Sequence, residues 1–386
     1  MKRSRFWAAL ASAVLVVAGL AGAAFSLSAS ADKRHGSDKE LKHVFVIMLE
    51  NHSKNSVIGD PAAPTITSLA NTYGVASQYF GVTHPSEPNY VAAISGSNWF
   101  VNDDNPNNRF DHTNLVDQLE SAGKTWGAYM ESMPSVGYLG NNYPDAAALP
   151  PSGAQLYVSK HNPFVLFSDI RNDPSRLANV KPYTMLQHDL DHHAPSFVFI
   201  SPNQCHDMHG GVGAVNPPSD GTPCPFSNAP GDANDQSLKA KADAFVNQAV
   251  STIMHSKAWT GNSVIFLVSD ENDFTNNPAT DGWESAAGCC DSPLLPNGYQ
   301  FLNSGGTPDG KVWSCPFGAN PACTYGGGLV PAIVIAREGR RHYTSTVPYN
   351  HYSMLRTIEE NWNLGYLENA SDDTQVHSMS EFLDKH

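Results

Sequence analysis

Residues 263–273 read SVIFLVSDEND. Ser263–Val268 is an apolar run rich in Val, Ile and Phe without strict alternation, and Ser269-Asp270-Glu271-Asn272-Asp273 then brings carboxylates and an amide. A strand that is apolar on both faces belongs in a parallel sheet covered by helices on each side. Three other runs share that character: His43–Leu49 (HVFVIML), Ser196–Ile200 (SFVFI) and Leu329–Ala336 (LVPAIVIA). Helical patterns lie between them. Thr113–Ala122 has Thr113 as a cap, apolar residues at 115, 116 and 119, and Gly123 as its stop. Leu238–His255 sets Phe245, Val246, Ala249, Val250 and Ile253 on one face, and Asn350–Trp362 does the same with Met354, Leu355 and Ile358. Strands alternating with helices predict an α/β fold with a largely parallel central sheet.

Ligands of such sheets bind beyond the carboxyl ends of the strands. The residues just past each run are therefore informative. The first ends in Glu50-Asn51-His52, the second runs on to Cys205-His206-Asp207-Met208-His209, and the third ends in Asp270-Glu271. Carboxylates crowded at one edge repel one another unless a cation sits among them. Glu50, Asn51, Asp270 and Glu271 are hard oxygen donors suited to a divalent ion. His206, His209 and His351 add softer ligands or acid–base groups. Taken singly, Glu50 is as readily a helix cap, and Asp270 or Asp273 a turn residue. Taken together, the bland explanation needs several independent accidents.

A second signal is Thr83-His84-Pro85-Ser86-Glu87-Pro88-Asn89-Tyr90. Pro88 and the apolar residues up to Gly96 predict a short helix with Ser86 at or just before its N-terminus. Free N–H groups and the positive dipole end favour phosphate or an alkoxide there. The competing role for Ser86 is a simple cap.

The 386 residues carry 23 Lys and Arg against 37 Asp and Glu. The chain opens with Lys2, Arg3 and Arg5, an apolar stretch to about Leu27, and Ala29-Ser30-Ala31, the pattern of a secretory signal peptide; the competing reading is an uncleaved anchor. Arg3 and Arg5 are not adjacent, so no twin-arginine signal is evident. Residues 1–31 are thus expected to be a leader and 32–386 a single domain, secreted to the extracellular side. Cleavage removes three basic and no acidic residues, so 20 against 37 leaves a net charge of −17. That balance excludes nucleic acid as a backbone-bound partner and gives no reason for stable membrane association. Six cysteines, at 205, 224, 289, 290, 315 and 323, read as disulfides in an exported chain. Cys205 with Cys224 and Cys315 with Cys323 are plausible local pairs, adjacent Cys289 and Cys290 are expected not to join each other easily, and other connectivities stay open. The oligomeric state is left open.

The segments HVFVIMLENHS (43–53), THPSEPNYVAAISG (83–96), SFVFISPNQCHDMHG (196–210), IFLVSDEND (265–273) and NHYSMLRTIEENW (350–362) together resemble the phosphoesterase family of bacterial acid phosphatases and phospholipases C, within the alkaline phosphatase superfamily. The resemblance spans about residues 41–362 in order. It implies an alkaline-phosphatase-like three-layer sandwich and a metal-dependent phosphatase, an ester hydrolase acting on small phosphate monoesters, with phosphoinositides left open as substrates. It further implies that Glu50-Asn51 and Asp270-Glu271 are metal-binding pairs, that Ser86 takes up the phosphoryl group with His84 beside it, that His209 and His206 serve catalysis, and that His351 is a looser match to a metal-ligand histidine. Where the superfamily has Asp and Asp-His, this chain has Glu-Asn and Asp-Glu, which leaves the ion's number and identity (zinc, calcium, magnesium or manganese) open. A phospholipase C-type phosphodiesterase is the nearest rival, and an inactive secreted metal-binding protein the rival from another class. A two-carboxylate glycosidase leaves Ser86 and the histidines unexplained.

Overall fold

The computed structural model describes residues 40–145, 155–211, 224–227, 231–273, 286–302, 308–312 and 322–384. The expected leader, residues 1–31, lies outside the described residues. So do Cys315 and parts of the long loops.

The central sheet has eight strands: β1 (Leu41–Leu49), β2 (Gly74–Phe80), β3 (Trp126–Met130), β4 (Val180–Pro182), β5 (Phe197–Ser201), β6 (Asn262–Ser269), β7 (Ala332–Ala336) and β8 (Tyr343–Asn350). Their order across the sheet is β8-β2-β7-β6-β1-β5-β3-β4. The three apolar runs expected to be parallel strands are β1, β5 and β6, with β1 paired in parallel to both of the others. The fourth run corrects the expectation. Its strand, β7, is shorter than the run and antiparallel to both β6 and β2. An inner strand is apolar on both faces whichever way it runs, so the sequence pattern records burial and not direction.

Alternate residues of each inner strand feed opposite layers. Val44, Val46 and Met48 of β1 join Val264, Phe266 and Val268 of β6 in one core; Phe45, Ile47 and Leu49 join Ile265 and Leu267 in the other. The first core is roofed by α2 (Ser86–Ser95) and by α6 (His351–Trp362) through Met354, Leu355 and Ile358. The second is roofed by α1 (Pro64–Thr72) and by α5 (Ala233–His255) through Phe245, Val246, Ala249 and Ile253. Two helical layers on one sheet make the three-layer sandwich. The helix expected at Thr113–Ala122 is α3 (Leu115–Ser121), with Asn114 and not Thr113 as its cap, because the Asn114 side chain accepts from Val116 N and Asp117 closes the capping box. A further short helix, α4 (Leu186–His192), packs on the α5 side. No helix among the described residues is long and apolar enough to cross a membrane.

Cys205 and Cys224 are joined, and Cys323 is also disulfide-bonded. Contrary to expectation, Cys289 is bonded to Cys290. The backbone accommodates the neighbouring pair by turning through left-handed conformations at Cys290 (φ 58°) and Asp291 (φ 66°).

Candidate active site

β1 and β6 run side by side with Leu49 opposite Ser269, so the next residue on each, Glu50 and Asp270, leaves the sheet at the same point. Asp270 N donates to Leu49 O at 3.0 Å, and Asn51 N donates to Asp270 Oδ1 at 3.1 Å. β2 ends at the same edge. From it the chain turns through Gly81–Pro85 into α2, whose first residue is Ser86 and whose end is set by Gly96 in the left-handed region. Asn89 shapes this entry: its Oδ1 accepts from Val82 N and Thr83 N, and its Nδ2 donates to Thr83 O and Pro85 O. Ser86, 1% exposed, therefore sits with its Oγ 2.9 Å from Glu50 Oε2 and 3.1 Å from Glu271 Oε1. His84 Nδ1 is hydrogen-bonded to the other oxygen of Glu271. The cap position of this helix is Pro85, so Ser86 is its first residue and not its cap. The hydroxyl points at the carboxylates instead.

Glu50, Asp270 and Glu271 are all buried, and one oxygen from each lies within 4.8 Å of the others. Glu50 Oε1 and Asp270 Oδ2 are shut off from solvent without a hydrogen-bond partner among the described residues. Burial, opposed by Lys160 and reinforced by Glu271, pushes the Glu50 carboxyl up to about 8. Burial first, then Glu50 and Glu271, drives Asp270 well above the ordinary carboxylate range. Unpaired buried carboxylate oxygens converging from two strands fit a divalent cation, which would remove the repulsion and satisfy the orphaned atoms. The donors are all oxygen, the set that suits hard ions.

Not every expected residue arrives here. His351 is buried at the start of α6, yet both of its ring nitrogens are engaged: Nδ1 lies 3.0 Å from the Tyr79 hydroxyl and Nε2 lies 2.6 Å from Asp270 O. A carbonyl only accepts, so Nε2 carries the proton and the ring holds the Asp270 backbone rather than offering a lone pair to an ion. His206 turns the other way. Its Nδ1 pairs with Glu131 at 2.8 Å and its ring stacks on Phe245 of the opposite layer. Asn51 contributes its backbone N–H to the cluster. His209 lies nearby, with Nδ1 at 2.7 Å from Gly210 O and its ring 5.9 Å from that of His161. Burial and the charge of Lys160 push His209 down to about 4, so its ring is neutral near pH 7.

Sequence reasoning missed Lys160, His161, Asp207 and Asp104. His161 Nε2 lies 3.1 Å from Glu50 Oε1 and its Nδ1 3.4 Å from Asp207 Oδ2, although neither contact has hydrogen-bond alignment. Its ring stacks on Tyr90 of α2 at 5.1 Å. Lys160 Nζ pairs with Asp104 Oδ2 at 2.9 Å, and Asp104 Oδ1 accepts from Glu87 N, next to Ser86. Lys160 and His161 belong to a single 3-10 turn, Ser159–His161, that follows only a two-residue strand, Tyr157–Val158, too short to read as one of the apolar runs. A search at strand ends passes over them. The available signal was a Lys-His pair just ahead of Asn162-Pro163, between the apolar residues 156–158 and 164–167.

The Phosphoesterase family model matches residues 60–217 and 228–365. A probable acid phosphatase of Kluyveromyces lactis is 34% identical over 87% of this chain and 61% of its own length. A phosphatidylinositol-3-phosphatase of Mycobacterium tuberculosis is 30% identical over 60% of this chain and 64% of its own. The chain thus spans less than two thirds of the length of either relative. The resemblance to bacterial enzymes extends to a yeast one. Among solved structures, the phosphonate monoester hydrolase of Agrobacterium radiobacter aligns over 89% of this chain and 77% of that one, with a TM-score of 0.47 and 12% identity, a likeness too loose to argue from.

Proposed function

Since the chain belongs to the phosphoesterase family, we propose that it is a metal-assisted phosphatase that hydrolyses phosphate monoesters through Ser86. The observation that carries this reading is a hydroxyl at a helix N-terminus whose Oγ touches carboxylates from two strands, at 2.9 and 3.1 Å. A divalent cation held by Glu50, Asp270 and Glu271, with Asn51 beside them, would polarise the phosphoryl oxygens and lower the pKa of the Ser86 hydroxyl.

In the first half-reaction Ser86 Oγ attacks phosphorus in line, the bond from phosphorus to the ester oxygen breaks, and the alcohol leaves. The proton lost by Ser86 is balanced by the one the alkoxide gains. Glu271 touches both Ser86 and His84, so a path from hydroxyl to imidazole is continuous. In the second, water attacks the phosphoserine, restoring the hydroxyl and releasing phosphate. His209 fits this half-reaction as an acceptor: Nδ1–H donates to Gly210 O, which leaves Nε2 to take a proton. A buried neutral ring has no second proton to give, so His209 does not act as the donor to the leaving alkoxide.

The name of the mycobacterial relative adds phosphorylated inositols to the substrates to be tried. The basic, apolar and small-residue order of residues 1–31 supports action outside the cell. The test compares p-nitrophenol release from p-nitrophenyl phosphate and from bis(p-nitrophenyl) phosphate by wild type and Ser86→Ala, each after chelation and after metal is restored. Monoester turnover that needs both Ser86 and metal is expected. Metal binding without hydrolysis of either ester would replace the enzyme with a binding protein, and faster diester cleavage would make it a phosphodiesterase.

A further inference from the structure

We propose that Lys160 reads the second negative charge of a phosphate monoester and so sets the preference for monoesters over diesters; this rests on the phosphatase reading above. One contact of the ammonium group and one of the next residue place this turn at the site. On one side Asp104 joins Lys160 Nζ at 2.9 Å to Glu87 N at 3.0 Å, in the first turn of α2 beside Ser86. On the other, the next residue, His161, lies 3.1 Å from Glu50 Oε1. Asp104 therefore holds Lys160 at the first turn of α2, with the charges of Glu50 and Glu271 close enough to act on its ammonium. Its side chain is 16% exposed, so it remains within reach of a ligand.

The surrounding charge makes this lysine matter. Glu50, Asp270 and Glu271 converge, the charge of Glu50 also acts on Asp207, and Asp104 meets Lys160 directly. The field of Lys160 acts on Glu50, Asp207 and Asp270. Burial works against its charge, but Asp104 and Glu50 outweigh burial and hold the ammonium protonated. A monoester carries close to two negative charges at pH 7 and a diester one. The added charge is what an extra ammonium recognises, and a lysine supplies it as a point charge without demanding a fixed oxygen geometry.

The experiment measures kcat/KM at pH 7 for p-nitrophenyl phosphate and bis(p-nitrophenyl) phosphate with metal-loaded wild type, Lys160→Met and the charge-balanced double variant K160M/D104N. The ratio of the two substrates cancels any loss of folded protein. Removing the charge should lower the monoester value by roughly 10- to 100-fold and the diester value by less than about threefold, in both variants. Inorganic phosphate, as a competitive inhibitor, should weaken by about the same factor as the monoester. An equal loss for both esters, or no loss for either, overturns the proposal while leaving the phosphatase reading intact. A wild-type protein that turns over neither ester overturns that reading itself.

Discussion

Replacing His351 separates a ligand to the metal from a brace behind one. The ring is fully buried, and Nε2 donates to Asp270 O across 2.6 Å while Nδ1 faces the Tyr79 hydroxyl at 3.0 Å. In His351→Ala a buried carbonyl loses its donor, which costs about 1–3 kcal/mol, and the vacated ring volume adds a cavity cost, so the total should reach about 3–5 kcal/mol. Freed from its brace, the Asp270 backbone can drift, and an outer contact of this kind typically changes metal affinity by about 10- to 100-fold. His351→Gln, which keeps a donor, should recover part of both losses. The assays are calorimetric titration with Mn²⁺ or Zn²⁺, denaturant unfolding, and p-nitrophenyl phosphate turnover across a metal series. Because the carboxylate ligands are untouched, kcat at saturating metal should return to within about threefold of wild type. Failure to recover at saturating metal, or a cobalt-substituted wild type whose visible spectrum loses an imidazole donor on mutation, would refute the reasoning.

A Cβ at Gly81 would lie 2.6 Å from Asp270 O and 2.9 Å from Gly327 Cα, both backbone, so Gly81→Ala should cost about 1–3 kcal/mol by denaturant unfolding; unchanged stability contradicts the packing. Glu359 of α6 is fully buried, accepts from Leu367 N at 2.9 Å, and is pushed by burial from 4.5 up to about 8. Folding therefore takes up a proton, and its contribution is intact below pH 4.5 and lost as pH rises through 8, up to about 5 kcal/mol. Glu359→Gln should flatten that slope in unfolding measurements across pH 4 to 9, and an unaltered pH profile rejects it. His206→Gln should leave turnover within about twofold, since His206 pairs with Glu131 away from the cluster, while stability falls by about 1 kcal/mol. A tenfold fall in kcat returns His206 to the site.

The central strands and three carboxylates were legible because burial writes itself into composition. SVIFLV and HVFVIML are apolar on both faces only because each lies inside the sheet, and the residues next in the chain must emerge at the strand's end. Ser86 was legible because Pro88 and Gly96 bracket its helix. The direction of β7 was not, since pairing sense depends on the route of the connecting chain. The roles of His206 and His351 were also hidden: each comes after a strand, as a ligand would, but which way a ring faces is decided by partners far away in sequence, Glu131 for one and Tyr79 for the other. Lys160 and His161 reach the site through a loop. Periodicity carries no information there.

The most direct test stops wild-type protein with acid during turnover of p-nitrophenyl phosphate and maps the covalent phosphoryl group by mass spectrometry. One HPO₃ on the peptide containing Ser86, absent from Ser86→Ala and from metal-stripped protein, is predicted. Rapid turnover with no adduct there, or an adduct on another side chain, would contradict it.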